Sequence, residues 1–163
     1  MNILRMVVLT FVLCGFAQGQ TLRDSAIEIA SSEIGIREFQ SSAGNPRIIE
    51  YLSVLTGVHL SESTSWCSAF AAFVIQEAGG DVSTITLSAR SWSNFGVPTL
   101  SPEPGDIVVM WRSSPSSWKG HVGFFIGETR DTVFVLGGNQ ANSVSILEFS
   151  KKRVLSYRRA DSQ

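Results

Sequence analysis

The hydrophobic period of the chain changes near its middle. Between Thr21 and Asn94 apolar residues recur at helical spacing, whereas from Asp106 to Arg158 they gather into short runs of strand length. Leu22, Ala26, Ile29, Ala30 and Ile34 form the first helical stripe, which Thr21 and Asp24 open as a capping box and Gly35 ends. Asn45 followed by Pro46 pairs an N-cap with a first-turn proline; Ile48, Ile49, Leu52 and Leu55 make the stripe, and Gly57 stops it. Ser65-Trp66-Cys67 opens a third helix with Ser65 as its cap and Ala69 to Ala78 as its body, ended by Gly79-Gly80. A short fourth helix is expected over Ser88 to Asn94, closed by Gly96 and Pro98.

Pro104-Gly105 marks the turn into the second half. Strands are expected over Asp106 to Trp111, His121 to Ile126, Thr132 to Leu136, Ser143 to Phe149 and Val154 to Arg158. In the second of these, Val122, Phe124 and Ile126 share one face while Gly123 and Phe125 share the other. Helices first and strands afterwards in hairpin succession predict an α+β fold, with N-terminal helices packed on a mostly antiparallel sheet. The Ser- and Pro-rich stretch Ser113 to Lys119 stands directly before His121 as a candidate rim of a cleft.

With 163 residues, 44% of them hydrophobic and 17% charged, the chain is sized for one globular domain. The first residues are set apart from it. Arg5, the apolar run Met6 to Phe16 and the small residues of Ala17-Gln18-Gly19 read as a secretory leader, 1–19, cleaved before Gln20. The domain is then 20–163, extracytoplasmic, with no stable membrane association once the leader is gone. A lipidated Cys14 is disfavoured because bulky Leu13 precedes it. The formal net charge of -1 argues against a nucleic-acid partner. Lys151, Lys152, Arg153, Arg158 and Arg159 form a local basic cluster whose ordinary reading is a solvated tail and strand edge. A monomer is expected.

Loss of Cys14 with the leader would leave Cys67 as the one thiol, unable to form an internal disulfide. Such a cysteine is either inert in the core or present for its chemistry. Its place in a first helical turn favours chemistry, because unpaired N–H groups and the helix dipole stabilise a thiolate. A thiolate nucleophile needs a base, and the histidines are His59, in a loop, and His121, at a strand start beside Gly120. A base in turn needs an oxygen to hold its ring. Leu136-Gly137-Gly138-Asn139-Gln140 brings Asn139 and Gln140 towards the His121 end of an antiparallel pair, and either side chain can supply that oxygen. No paired His/Cys spacing, carboxylate cluster or calcium loop calls for a metal, and no cofactor is expected.

Taken in order, Glu38, Gly44-Asn45-Pro46-Arg47-Ile48-Ile49-Glu50-Tyr51, Trp66-Cys67-Ser68-Ala69-Phe70, Ala89-Arg90-Ser91-Trp92, Pro104-Gly105-Asp106-Ile107-Val108, Gly120-His121-Val122-Gly123-Phe124 and Gly137-Gly138-Asn139-Gln140 resemble the bacterial NlpC/P60 and CHAP superfamily of cysteine amidases and peptidases. The resemblance runs from about Leu22 to Phe149 and is nearest a small single-domain branch. It implies a papain-like core and cleavage of amide bonds in the peptide part of bacterial peptidoglycan through a Cys67 thioester. His121 is then the base and Asn139 its orienting group, with Gln140 the second choice. Trp66 before the cysteine departs from papain's own local signature, and no side chain is identified for the oxyanion hole, for which the Cys67 N–H at the helix start is the one donor named. Asp106 is expected to satisfy turn backbone. An acyltransferase using the same Cys-His pair, or a catalytically silent wall-binding module, are the alternative functions.

Overall fold

Local capping chemistry starts and stops the helices. In the computed structural model, which describes residues 20–39 and 43–160, α1 (Leu22–Ser32) begins at Thr21, whose hydroxyl accepts from the Asp24 N–H while the Asp24 carboxylate accepts from the Thr21 N–H. The leader expected over 1–19 lies outside the described residues. Helix α2 (Pro46–Thr56) starts at Asn45, whose side chain accepts from the Arg47 N–H at 2.9 Å. It ends on Gly57, whose φ of 65° is the left-handed conformation a glycine cap adopts without strain. Helix α3 (Cys67–Glu77) is buried at nine of its 11 residues, so it is the central helix rather than a surface one. Tyr51 of α2 packs its ring against Phe70 and Phe73 of α3, with centroids 5.4 and 5.0 Å apart. The fourth expected helix is a 3-10 helix, Ala89–Asn94, capped by Ser88.

Among the described residues six strands follow: β1 (Val97–Thr99), β2 (Ile107–Trp111), β3 (Gly120–Glu128), β4 (Thr132–Gln140), β5 (Ser143–Ser150) and β6 (Val154–Arg159). Every pairing is antiparallel, in the order β1-β6-β2-β3-β4-β5. The fold is therefore α+β. Two features differ from the sequence expectation. Pro98 lies inside β1 rather than closing a helix, which a proline can do only where the strand is at a sheet edge. The last strand does not extend the hairpin succession but returns between β1 and β2. Arg159 holds it there through Asp106, and Arg158 donates to the Phe95 and Gly96 carbonyls.

The two sheet faces carry different cores. Ile107, Val109, Val122, Phe124, Leu136 and Val144 face the helices; Val108, Met110, Phe125, Val133 and Val135 form a second cluster with Phe149, Val154 and Tyr157. The alternation read from β3 holds, with Ile126 joining the helix-facing set. Curling of the sheet brings Phe149 of β5 to within 5.6 Å of the His121 ring of β3. Among the described residues no helix is long and apolar enough to cross a membrane.

Candidate active site

Cys67 is the first residue of α3. The expected cap is corrected here: Trp66, not Ser65, holds the N-cap position, and it makes no side-chain capping bond. Ser65 instead lines the same cavity as Cys67 and helps lower the thiol's pKa. The first-turn N–H groups of α3 thus remain without a side-chain acceptor, which concentrates the positive end of the helix dipole at the thiol. Both neighbours of Cys67 are fixed. The Trp66 indole donates to Glu38 at 2.8 Å. The Ser68 hydroxyl donates to the Thr86 carbonyl at 2.6 Å and accepts from the Trp92 indole at 2.8 Å. Glu38, Ser68 and Trp92 hold the nucleophile's helix in place, a role that becomes visible only in three dimensions.

His121 is buried at the start of β3, where its Nε2 lies 3.0 Å from Gln140 Oε1. The Gln140 amide nitrogen donates to the carbonyls of Val135, at 3.2 Å, and Ser145. With both amide protons engaged by carbonyls, Oε1 is the atom left for the histidine, so Nε2 must carry the proton. The other nitrogen, Nδ1, is then the basic one and is free to serve the thiol.

Asn139 does not occupy the orienting position assigned to it from the sequence. Continuing the β3–β4 register from Phe124 opposite Leu136 would set Asn139 across from His121. The β4–β5 ladder shifts between Gly137 and Gln140, however, and Asn139 adopts a φ of 57°. This bulge turns Gln140 inward, to 3% exposure, and leaves Asn139 half-buried. Gly138 makes the approach of β4 to α3 possible, since a Cβ there would lie 2.6 Å from both Phe70 Cβ and Trp66 Cζ3.

Three groups favour ionisation of the sulfur. Burial pushes the Cys67 thiol up, but the hydrogen bond and charge of His121, the Ser65 hydroxyl and the Val122 N–H together hold it below the ordinary thiol value. Cys67 is 2% exposed, yet it is not walled in: with Ser65 it lines a cavity of about 340 Å³ that also reaches Ser113, Trp118, Lys119 and Gly120. The loop expected to rim the cleft does so. A larger cavity of about 540 Å³, bounded by Leu22, Gly79, Gly80 and Asn94, contains no cysteine or histidine and has no part in this chemistry. His59 is exposed in the loop after α2, outside the constellation. Asp106 accepts from the Glu103 N–H at 2.8 Å, as a turn residue, and additionally pairs with Arg159.

A helix-start cysteine facing a strand-start histidine, in helices packed on an antiparallel sheet, is the papain-like arrangement. The family model described as CHAP domain matches residues 59–139, a span that includes Cys67, His121 and Asn139. This match, over just under half of the chain, and the fold together support the resemblance to the NlpC/P60 and CHAP superfamily. In fold it is similar to NlpC1 from Trichomonas vaginalis, with a TM-score of 0.53 and 15% sequence identity over 90% of this chain. The match covers 47% of the NlpC1 chain, so this protein spans about half that length. No curated protein matches the chain.

Proposed function

We propose that this protein is a cysteine amidase or peptidase that cleaves amide bonds in the peptide part of bacterial peptidoglycan, working outside the cytoplasm after removal of residues 1–19. The observation that carries the reading is the line Cys67, His121, Gln140, its sulfur end lining an open cavity and its far end anchored on two backbone carbonyls. Imidazole, thiol and orienting amide together are the parts that covalent acyl transfer requires.

In this scheme His121 Nδ1 holds the proton of the Cys67 thiol, and the thiolate attacks the amide carbonyl. The new C–S bond places negative charge on the carbonyl oxygen, which the Cys67 N–H at the uncapped start of α3 receives. His121 returns the proton to the leaving nitrogen, the C–N bond breaks, and a thioester remains. Water attacks that thioester with His121 again as base, releasing a carboxylic acid and restoring the thiol. Gln140 never meets the substrate; it keeps Nε2 protonated and the ring aimed.

Digestion of purified peptidoglycan, followed by mass analysis of the fragments, tests the reading. The intact protein releases new amine and carboxyl ends that Cys67→Ala protein does not. Peptidoglycan left unaltered by the folded wild-type protein, or altered equally by Cys67→Ala, would overturn it.

A further inference from the structure

The cavity at Cys67 is charged on one side only. Arg112, just past the end of β2, and Lys119, just before β3, both line it, and among the described residues no acidic side chain does. Their positions are coupled, because the Arg112 N–H donates to the Lys119 carbonyl at 3.1 Å and closes the neck of the loop between them. The loop is braced from the opposite side by Arg90, whose guanidinium donates to the Pro115 carbonyl at 2.8 Å. Behind Arg112 stands Arg153, tied to the Trp111 carbonyl; burial first and then the Arg112 charge push its pKa down. Among the described residues none of Arg112, Lys119 and Arg153 forms an ion pair. Trp118 completes the rim, 78% exposed, with the Lys119 ammonium 5.7 Å from its ring.

Two cations gathered at one cavity mouth, with a third guanidinium crowded behind them and, among the described residues, no carboxylate in an ion pair with any of them, repel one another until an anion arrives. A guanidinium presents a planar fork that fits a carboxylate, and an exposed indole offers a flat apolar surface to the chain that carries it. We propose that Arg112 and Lys119 form a carboxylate-recognition subsite, with Trp118 covering the adjoining part of the peptide. The protein thereby selects amide substrates bearing a free carboxylate beside the bond to be cut over their amidated counterparts. This subsite rests on the amidase reading for its biological use, but binding tests it separately.

Titration calorimetry on Cys67→Ala protein compares a synthetic stem tetrapeptide carrying free carboxylates with the same peptide amidated at those positions. The acidic peptide binds about tenfold more tightly at low salt, as one charge-assisted contact provides. The advantage narrows as salt rises, because exposed charges are screened. Adding Arg112→Gln and Lys119→Gln brings the acidic peptide to the affinity of the amidated one. Equal affinities before those changes, a preference that survives them, or no binding of the acidic peptide would overturn the subsite. Turnover by the unsubstituted protein distinguishes the two ideas: cleavage of both peptides with equal KM removes the subsite and leaves the amidase, whereas selective binding without cleavage removes the amidase and leaves the subsite.

Discussion

At Cys67 the removal of water opposes ionisation, and the contacts made by His121, Ser65 and Val122 favour it. The contacts prevail, so at a pH below the ordinary thiol midpoint a larger share of Cys67 is thiolate than in an unstructured peptide. Alkylation by iodoacetamide should therefore persist to lower pH than for a model thiol, and His121→Ala should move the profile back upwards. A wild-type profile that overlies the model thiol would contradict the thiolate argument. The orienting group is open to an equally direct test. Gln140→Ala removes the acceptor of the Nε2 proton and should lower kcat by about a hundredfold, the lower end of what positioned proton transfer contributes. Asn139→Gly retains the left-handed backbone and should leave kcat near the wild-type value. A larger loss from Asn139→Gly than from Gln140→Ala would return the role to Asn139.

One level up, the site depends on how closely elements approach one another. Strand β4 rests on the start of α3 because Gly138 presents no side chain to Phe70 and Trp66. Gly138→Ala forces either the helix or the strand to move, at a cost of about 1–3 kcal/mol read from the urea midpoint. Activity should fall further than stability alone explains, since Trp66 directly precedes the nucleophile. Elsewhere, Glu33 at the end of α1 joins that helix to α2 by accepting from Arg47 and from the Tyr51 hydroxyl at 2.6 Å. The Arg47 hydrogen bond leads the effects that hold the Glu33 carboxyl below its ordinary value of 4.5, outweighing burial. A depressed folded pKa contributes stability that is present above the unfolded value and lost as pH falls through the folded one. Urea unfolding of the wild type should thus weaken below about pH 4.5 more steeply than that of Glu33→Gln, which has nothing there to protonate. Parallel acid limbs for the two proteins would remove Glu33 from the account.

Across the whole molecule, what could be read in advance divides by the range of the interaction responsible. Thr21, Asn45 and Gly57 act on residues a few positions away, so the helices were legible, as was the alternation on β3. The Cys67–His121 pairing was legible because few residue types can perform the chemistry. Gln140 was legible only as the second choice behind Asn139, because the bulge that turns it inward changes the register by one position and leaves no compositional trace. Nor was Ser65, since a serine before a helix is an ordinary cap until the backbone shows Trp66 in that position. The return of β6 rests on Arg159 and Asp106, 53 residues apart, and nothing local signals it. That contact carries the last prediction. Asp106 is wholly buried, and its two oxygens accept from Arg159 and from the Glu103 N–H. Asp106→Asn keeps the shape but leaves Arg159 only the exposed Glu103 carboxylate, 3.1 Å away, as counterion, which should cost about 2 kcal/mol, below the range for a fully buried pair because Arg159 is partly exposed and keeps that second partner. Adding Arg159→Met should recover part of that loss, so the urea midpoints of the two single variants and the double variant yield a positive coupling. Amide exchange should quicken first in β6 and β1, the strands that the pair secures. Additive losses with unchanged β6 protection would show that the sheet closes without the clamp.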